Sequence, residues 1–185
     1  MALHPFDRLT PDVVIEATEA LGHRSDGRIL ALNSYENRVY QVGLDDEAPL
    51  VVKFYRPDRW SSESIIEEHE FALELAGAEI PVVAPLCSGG PSLHEYEGFR
   101  YAAYPRQGGR WPELSTTAER VWMGRFLGRI HAQGHRKGFV HRPEMDWAIF
   151  GRDSADYLLE RGWIPAHLEE AYRTLTDDLL DVVAR

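Results

Sequence analysis

A chain of 185 residues, 44% hydrophobic and 27% charged, has the composition of a globular protein with a buried core, which excludes disorder as its resting state. The 30 acidic against 20 basic side chains give a formal charge of -10, so nucleic acid and anionic lipid are excluded as partners unless a basic patch forms, and none is visible. The single cysteine, Cys87, excludes an internal disulfide, no apolar run reaches the roughly 20 residues that span a bilayer, and Met1 to Leu9, with His4, Asp7 and Arg8, is unlike a signal peptide. The expected setting is a reducing cytoplasm, without a membrane partner.

The first element starts at Thr10-Pro11-Asp12, where Thr10 caps and Pro11 suits the first helical position, and it runs through Val13 to Leu21 before Gly22. After Gly27 the pattern turns β-rich, with strands predicted over Arg28 to Asn33, Arg38 to Leu44 and Leu50 to Tyr55. The turns Ser34 to Asn37 and Asp45 to Pro49 make these three strands antiparallel. Ser61 and Ser62 cap a long helix to about Gly77. A fourth strand is predicted over Ile80 to Leu86, where Pro81 and Pro85 confine it to an edge or to strand ends. Ser88 to Pro91 is a loop, Glu97-Gly98 a turn, and Phe99 to Tyr104 a fifth strand. Pro105 to Pro112 reads as a hinge, which divides the chain into 1–104, the linker 105–112, and 113–185. Thr116 to Glu119 matches a capping box and opens a helix with Met123, Phe126, Leu127, Ile130 and Gly134 on one face. Tyr157 to Arg161 and Leu168 to Val183 are helical by spacing. The fold class is therefore α+β.

Lys53 stands in the apolar run Leu50 to Phe54, where a lysine either leaves the exposed face of an edge strand or serves an anion. The following helix carries Ile65, Glu68, Ala72 and Leu75 at spacings of three and four, so Glu68 falls on the apolar stripe while Glu63, Glu67, Glu70 and Glu74 fall largely off it. A carboxylate there is costly unless paired, and a Lys53 to Glu68 ion pair is the simplest partner; the alternative is a solvated Glu68 at the stripe's edge. The Ser34 to Asn37 turn offers a hydroxyl and backbone amides to phosphate oxygens, or is an ordinary hairpin turn. The run Tyr101 to Arg106 is aromatic enough to be a plain core strand. His131 reads as a hydrogen-bonded core histidine and Cys87 as a small buried residue, neither as a ligand or nucleophile, and no metal site is proposed.

The stretches Leu32 to Val42, Val51 to Pro57, Glu67-Glu68-His69, Glu79 to Leu86 and Arg106 to Arg110 resemble bacterial stress-response Ser/Thr protein kinases of the aminoglycoside phosphotransferase and choline kinase-like group. The resemblance implies a protein-kinase-like fold with a five-stranded amino-terminal lobe, a hinge and the opening helices of a second lobe. It implies ATP contact at Ser34, phosphate contact at Lys53 with Glu68 as its partner, and base-edge contacts from Tyr104 to Arg106. It also implies transfer to protein Ser/Thr with Mg2+. The family's His-Gly-Asp-x-x-x-x-Asn loop and its second metal-binding aspartate are missing, because Pro143 stands for the aspartate in His141-Arg142-Pro143. No catalytic residue is therefore assigned, the metal ligands are expected outside this chain, and Arg185 is expected to be a truncation point. A small-molecule alcohol kinase of the same group and a non-catalytic nucleotide-binding module are the alternatives.

Overall fold

The structure, a computed structural model, describes residues 4–87, 90–144 and 146–184; Ser88 and Gly89 of the expected loop, Arg185 and the first three residues lie outside them. The chain divides into two compact units, one up to His141 and one from Arg142. The first unit is α+β. Helix α1 (Pro11–Glu19) is capped by Thr10, whose hydroxyl accepts the Val13 N–H at 3.4 Å. Strands β1 (Ser25–Leu32), β2 (Arg38–Leu44), β3 (Leu50–Phe54), β4 (His94–Tyr96) and β5 (Phe99–Pro105) form one antiparallel sheet in the order β1-β2-β3-β5-β4.

Alternation along the strands separates two faces. On one, Leu50, Val52 and Phe54 of β3 pack with Val42, Leu44, Phe99, Tyr101 and Ala103 against Val14 and Ala17 of α1. Tyr101 donates its hydroxyl to the Ala17 carbonyl at 2.7 Å, which satisfies a phenol that burial pushes up to about 12. The register places Val39 beside Lys53, Lys53 beside Ala102, and Val51 beside Tyr104, so these residues share the opposite face. Helix α2 (Ser62–Gly77) packs there through Ile65, which clusters with Tyr55 and Ala102.

β1 begins earlier than its apolar run, at Ser25, and its register with β2 shifts between Ser25 and Ile29. That bulge holds Gly27 at φ +81 and turns the Asp26 carboxylate onto Arg28 and over Gly43, where any Cβ would collide with it. The fourth strand is not at Ile80 to Leu86. Pro81 and Pro85 remove two ladder donors, and the stretch keeps one backbone bond to β5, from Leu86 N–H to the Ala103 carbonyl at 2.8 Å. The fourth strand is instead His94–Tyr96, turned back into β5 by Glu97 and Gly98 at φ 49 and 79, the left-handed pair that a two-residue hairpin needs. Cys87 is exposed rather than buried, at the end of that irregular segment.

Helix α3 (Thr117–Gly134) has the expected capping box: Thr116 accepts the Glu119 N–H at 3.2 Å and donates its own N–H to Glu119 Oε2 at 2.7 Å. Its half-buried stripe is Met123, Phe126, Ile130 and Gly134, while Leu127 is exposed. His131 is also exposed, one position off that stripe, and is not a core histidine. The segment after α3 returns to α2. Glu67 accepts the N–H groups of Val140 and His141 at 2.5 and 2.9 Å, Ser64 donates to the His141 carbonyl at 2.6 Å, and Phe139 meets Phe71 edge-on. Glu67→Ala is expected to cost about 1–3 kcal/mol in urea unfolding, because two amides lose their acceptor. Hydrogen exchange at Val140 and His141 should quicken with it; unchanged exchange there would refute the clamp.

In the second unit a π-helical turn, Ala148–Arg152, leads into α4 (Asp153–Glu160), and a 3-10 turn, Ala166–Leu168, leads into α5 (Glu169–Val183). Leu180 lies so close to Gly151 that a Cβ there would overlap it, and Arg152 pairs with Asp177. Among the described residues no helix is long and apolar enough to cross a membrane.

Candidate functional site

Lys53 emerges from the middle of β3 on the face away from α1, and Glu68 comes down from the second turn of α2 to meet it. Lys53 Nζ lies 3.1 Å from Glu68 Oε1 and 4.6 Å from the centre of the Tyr55 ring. The two side chains are 24% and 39% exposed, so the pair is open to a ligand on one side. A pair this exposed contributes no more than about 1 kcal/mol to stability, and its importance lies in where it holds the ammonium group.

The pair borders a pocket of about 380 Å³, lined by Val39, Val51, Ala72, Val83 and Pro85 with His69, Tyr104 and Gln107. Its walls are apolar, its cation stands at one edge, and its size suits a small organic ligand. Of the five residues singled out in the sequence, Lys53, Glu68 and Tyr104 line this pocket. Ser34 and Arg106 do not. The Ser34 hydroxyl donates to the Asn37 carbonyl at 2.9 Å in an exposed turn, and Arg106 donates through Nε to Gln41 Oε1 at 3.1 Å on the exposed end of β5. That turn follows directly on the row Leu32, Val39, Lys53 set by the strand register, so Ser34 belongs to the same end of the sheet as the lysine.

Behind the pair lies a residue the sequence reading passed over. His69, on α2, is 1% exposed and has a partner at each ring nitrogen: Nε2 is 2.6 Å from the Tyr55 hydroxyl and Nδ1 is 2.8 Å from Ser92 Oγ. The Tyr104 hydroxyl closes the group, 3.1 Å from that of Tyr55. A neutral imidazole satisfies its two partners as one donor and one acceptor. Burial is the main reason that the ring is pushed down to about 4, with Lys53 adding in the same direction and Glu68 opposing. Burial likewise raises the Tyr104 phenol to about 12, with the Tyr55 hydrogen bond opposing. The signal was present: His69 follows Ile65 by four on the stripe that was read as apolar.

The arrangement supplies a held cation, a neutral polar floor and apolar walls, and it can bind an anionic ligand with a flat apolar part. Among the described residues no group of three or more His, Cys, Asp or Glu could hold a metal ion, so these residues do not by themselves fit a resident magnesium site.

A strand lysine paired with a glutamate of the next helix, beside a pocket closed by the last strand of a five-stranded antiparallel sheet, defines a kinase-like phosphotransferase fold. The model of the phosphotransferase enzyme family matches residues 28–184, and the chain belongs to that family. It is 39% identical over 178 residues to stress response kinase A of Escherichia coli O157:H7, an alignment covering 96% of this chain and 54% of that protein. It is 40% identical over 178 residues, with the same 96% and 54% shares, to serine/threonine protein kinase RdoA of Salmonella typhimurium. Among solved structures it is similar to the amicoumacin kinase hAmiN in complex with AMP-PNP, Ca2+ and Ami, with a TM-score of 0.72 and 18% identity over 99% of this chain and 57% of that one, a likeness of fold alone. The chain spans about half the length of the curated relatives it matches.

Proposed function

We propose that the pocket binds ATP and that this chain is the nucleotide-binding part of a phosphotransferase acting on Ser/Thr of protein substrates in a stress response. The Lys53–Glu68 pair at the rim of an apolar pocket carries this reading. In it Lys53 contacts the nucleotide phosphates, Glu68 fixes the direction of the lysine, and Val39, Val51, Ala72 and Val83 enclose the adenine. The backbone from Tyr104 to Arg106 faces the base edge, and the turn at Ser34 covers the phosphates. Mg2+, when bound, would neutralise charge on the transferring phosphoryl group, its ligands supplied by residues outside this chain. Nothing here takes a proton from the acceptor hydroxyl: the chain has no His-x-Asp-x-x-x-x-Asn loop, so alone it binds nucleotide without turning it over.

Calorimetric titration of this chain with Mg-ATP is the first test, and saturable binding with adenosine competing is the expected result. Binding of neither compound by a chain shown to be folded would remove the nucleotide reading. The acceptor is read on a longer protein that includes the phosphoryl-transfer residues: labelled phosphate on Ser/Thr of a protein supports the proposal. Phosphate found only on a small alcohol would instead assign the chain to a small-molecule kinase.

A further inference from the structure

The turn between β1 and β2 has no glycine, and side chains hold it instead. Glu36 accepts from Arg59 Nε at 3.1 Å and from the indole N–H of Trp60 at 3.0 Å, while the Arg59 guanidinium lies 4.7 Å over the Trp60 ring. Asn37 Oδ1 accepts the Arg56 N–H at 3.1 Å, and the Ser34 hydroxyl closes the turn from within. All three outer partners, Arg56, Arg59 and Trp60, belong to the segment linking β3 to α2. That segment is itself fixed. Arg100 donates to the Trp60 carbonyl at 2.6 Å and to Ser62 Oγ at 3.2 Å, and Ser61, next to Trp60, caps α2 by accepting the Ser64 N–H at 3.1 Å. Trp60 also packs against the cluster of Tyr55, Ile65 and Ala102.

The geometry points to Glu36 and Trp60 as positioning residues: a strut that ties the β1–β2 turn to the start of α2, so that the turn and the Lys53–Glu68 pair present one preformed site for the phosphates of a nucleotide. This inference rests on the nucleotide reading above. Glu36 is otherwise out of place, because a carboxylate beside a phosphate site repels the ligand. Its two hydrogen bonds explain it as structure, and they set up a test in which the sign of the effect decides. Plain electrostatics predicts that removing Glu36 tightens binding of an anion; the strut predicts that it weakens it.

Adenosine and Mg-ATP are titrated calorimetrically into the wild-type chain, Glu36→Ala and Trp60→Phe. Trp60→Phe removes the indole donor, keeps a smaller aromatic ring against the Tyr55 cluster and changes no charge. The expected result is that both variants bind ATP about tenfold more weakly while adenosine affinity stays within about twofold, because the strut acts on the phosphates alone. Unchanged or tighter ATP binding by Glu36→Ala overturns the strut, as does an equal loss for adenosine and ATP, which would mark general damage to the pocket. A wild-type chain that binds neither compound defeats the nucleotide reading itself, and this inference with it. Wild-type binding with unaltered variants defeats the strut alone.

Discussion

Replacing Lys53 by alanine is expected to weaken Mg-ATP binding by about a hundredfold, with adenosine affected by no more than about twofold. A charge-assisted hydrogen bond is worth about 1.5–3 kcal/mol, which is roughly tenfold to a hundredfold in affinity. The upper end applies because the loss is compounded: without the ammonium group, the Glu68 carboxylate, 39% exposed, faces the incoming phosphates without the Lys53 charge to offset it. Glu68→Gln should cost about tenfold, since the lysine keeps its charge and loses only the partner that aims it. The double variant should then bind better than Lys53→Ala alone, because the repelling carboxylate is gone, and this failure of additivity is what separates a paired site from two independent contacts. Losses that simply multiply would mean that the pair does not act as a unit toward the ligand.

Acid should reach the protein first through His69. Its ring is buried, and its folded value of about 4 lies below its ordinary 6.5. Below pH 6.5 the unfolded chain therefore takes up a proton that the folded chain refuses, so stability present at neutral pH is lost as pH falls from about 6.5 toward about 4. At 1.36 kcal/mol per unit, the loss by pH 4.5 comes to about 2–3 kcal/mol. His69→Gln, which offers hydrogen bonds but no charge, should show a shallower fall over the same window. Urea midpoints at pH 7 and pH 4.5 measure the difference between the two chains, and parallel profiles would mean that His69 is not held neutral in the folded state. The folded ring takes up its own proton only near pH 4, so the Tyr55 and Tyr104 contacts, and nucleotide affinity with them, should hold through most of that range and fall only at its acid end.

Most of the first unit could be read from side-chain pattern. β2 and α2 were legible because each carries its own punctuation: a polar turn before Arg38, and Ser61 ahead of an apolar stripe. The Lys53–Glu68 pairing was legible for the same reason, since the period of α2 places Glu68 on the side that meets the sheet. Ile80 to Leu86 is ambiguous in sequence because its apolar content suggests a strand while two prolines deny it a ladder, and in the structure the prolines decide. β4 escaped notice since three residues, two of them His94 and Glu95, are too few to show alternation. His69 escaped for a different reason: a polar residue on an apolar stripe is recognised as a site only when its partners are known, and Tyr55, Ser92 and Tyr104 are between 14 and 35 residues away. Contacts at that range depend on tertiary packing, which local pattern does not encode. The strut at Glu36 was hidden likewise, as its partners lie across the sheet in sequence.

The bulge in β1 bears on how the protein behaves in company. β1 is an outermost strand of eight residues, long enough to recruit a strand from a second chain. Gly27 at φ +81 breaks its run of outward-facing amides, and the Asp26 carboxylate takes up the Arg28 N–H that a visiting strand would need. The opposite margin is protected by brevity at β4 and by proline along 80–86. Neither side of the sheet offers an unbroken template, so the local irregularities that obscured the strand boundaries also guard a crowded solution against ribbon-like aggregation.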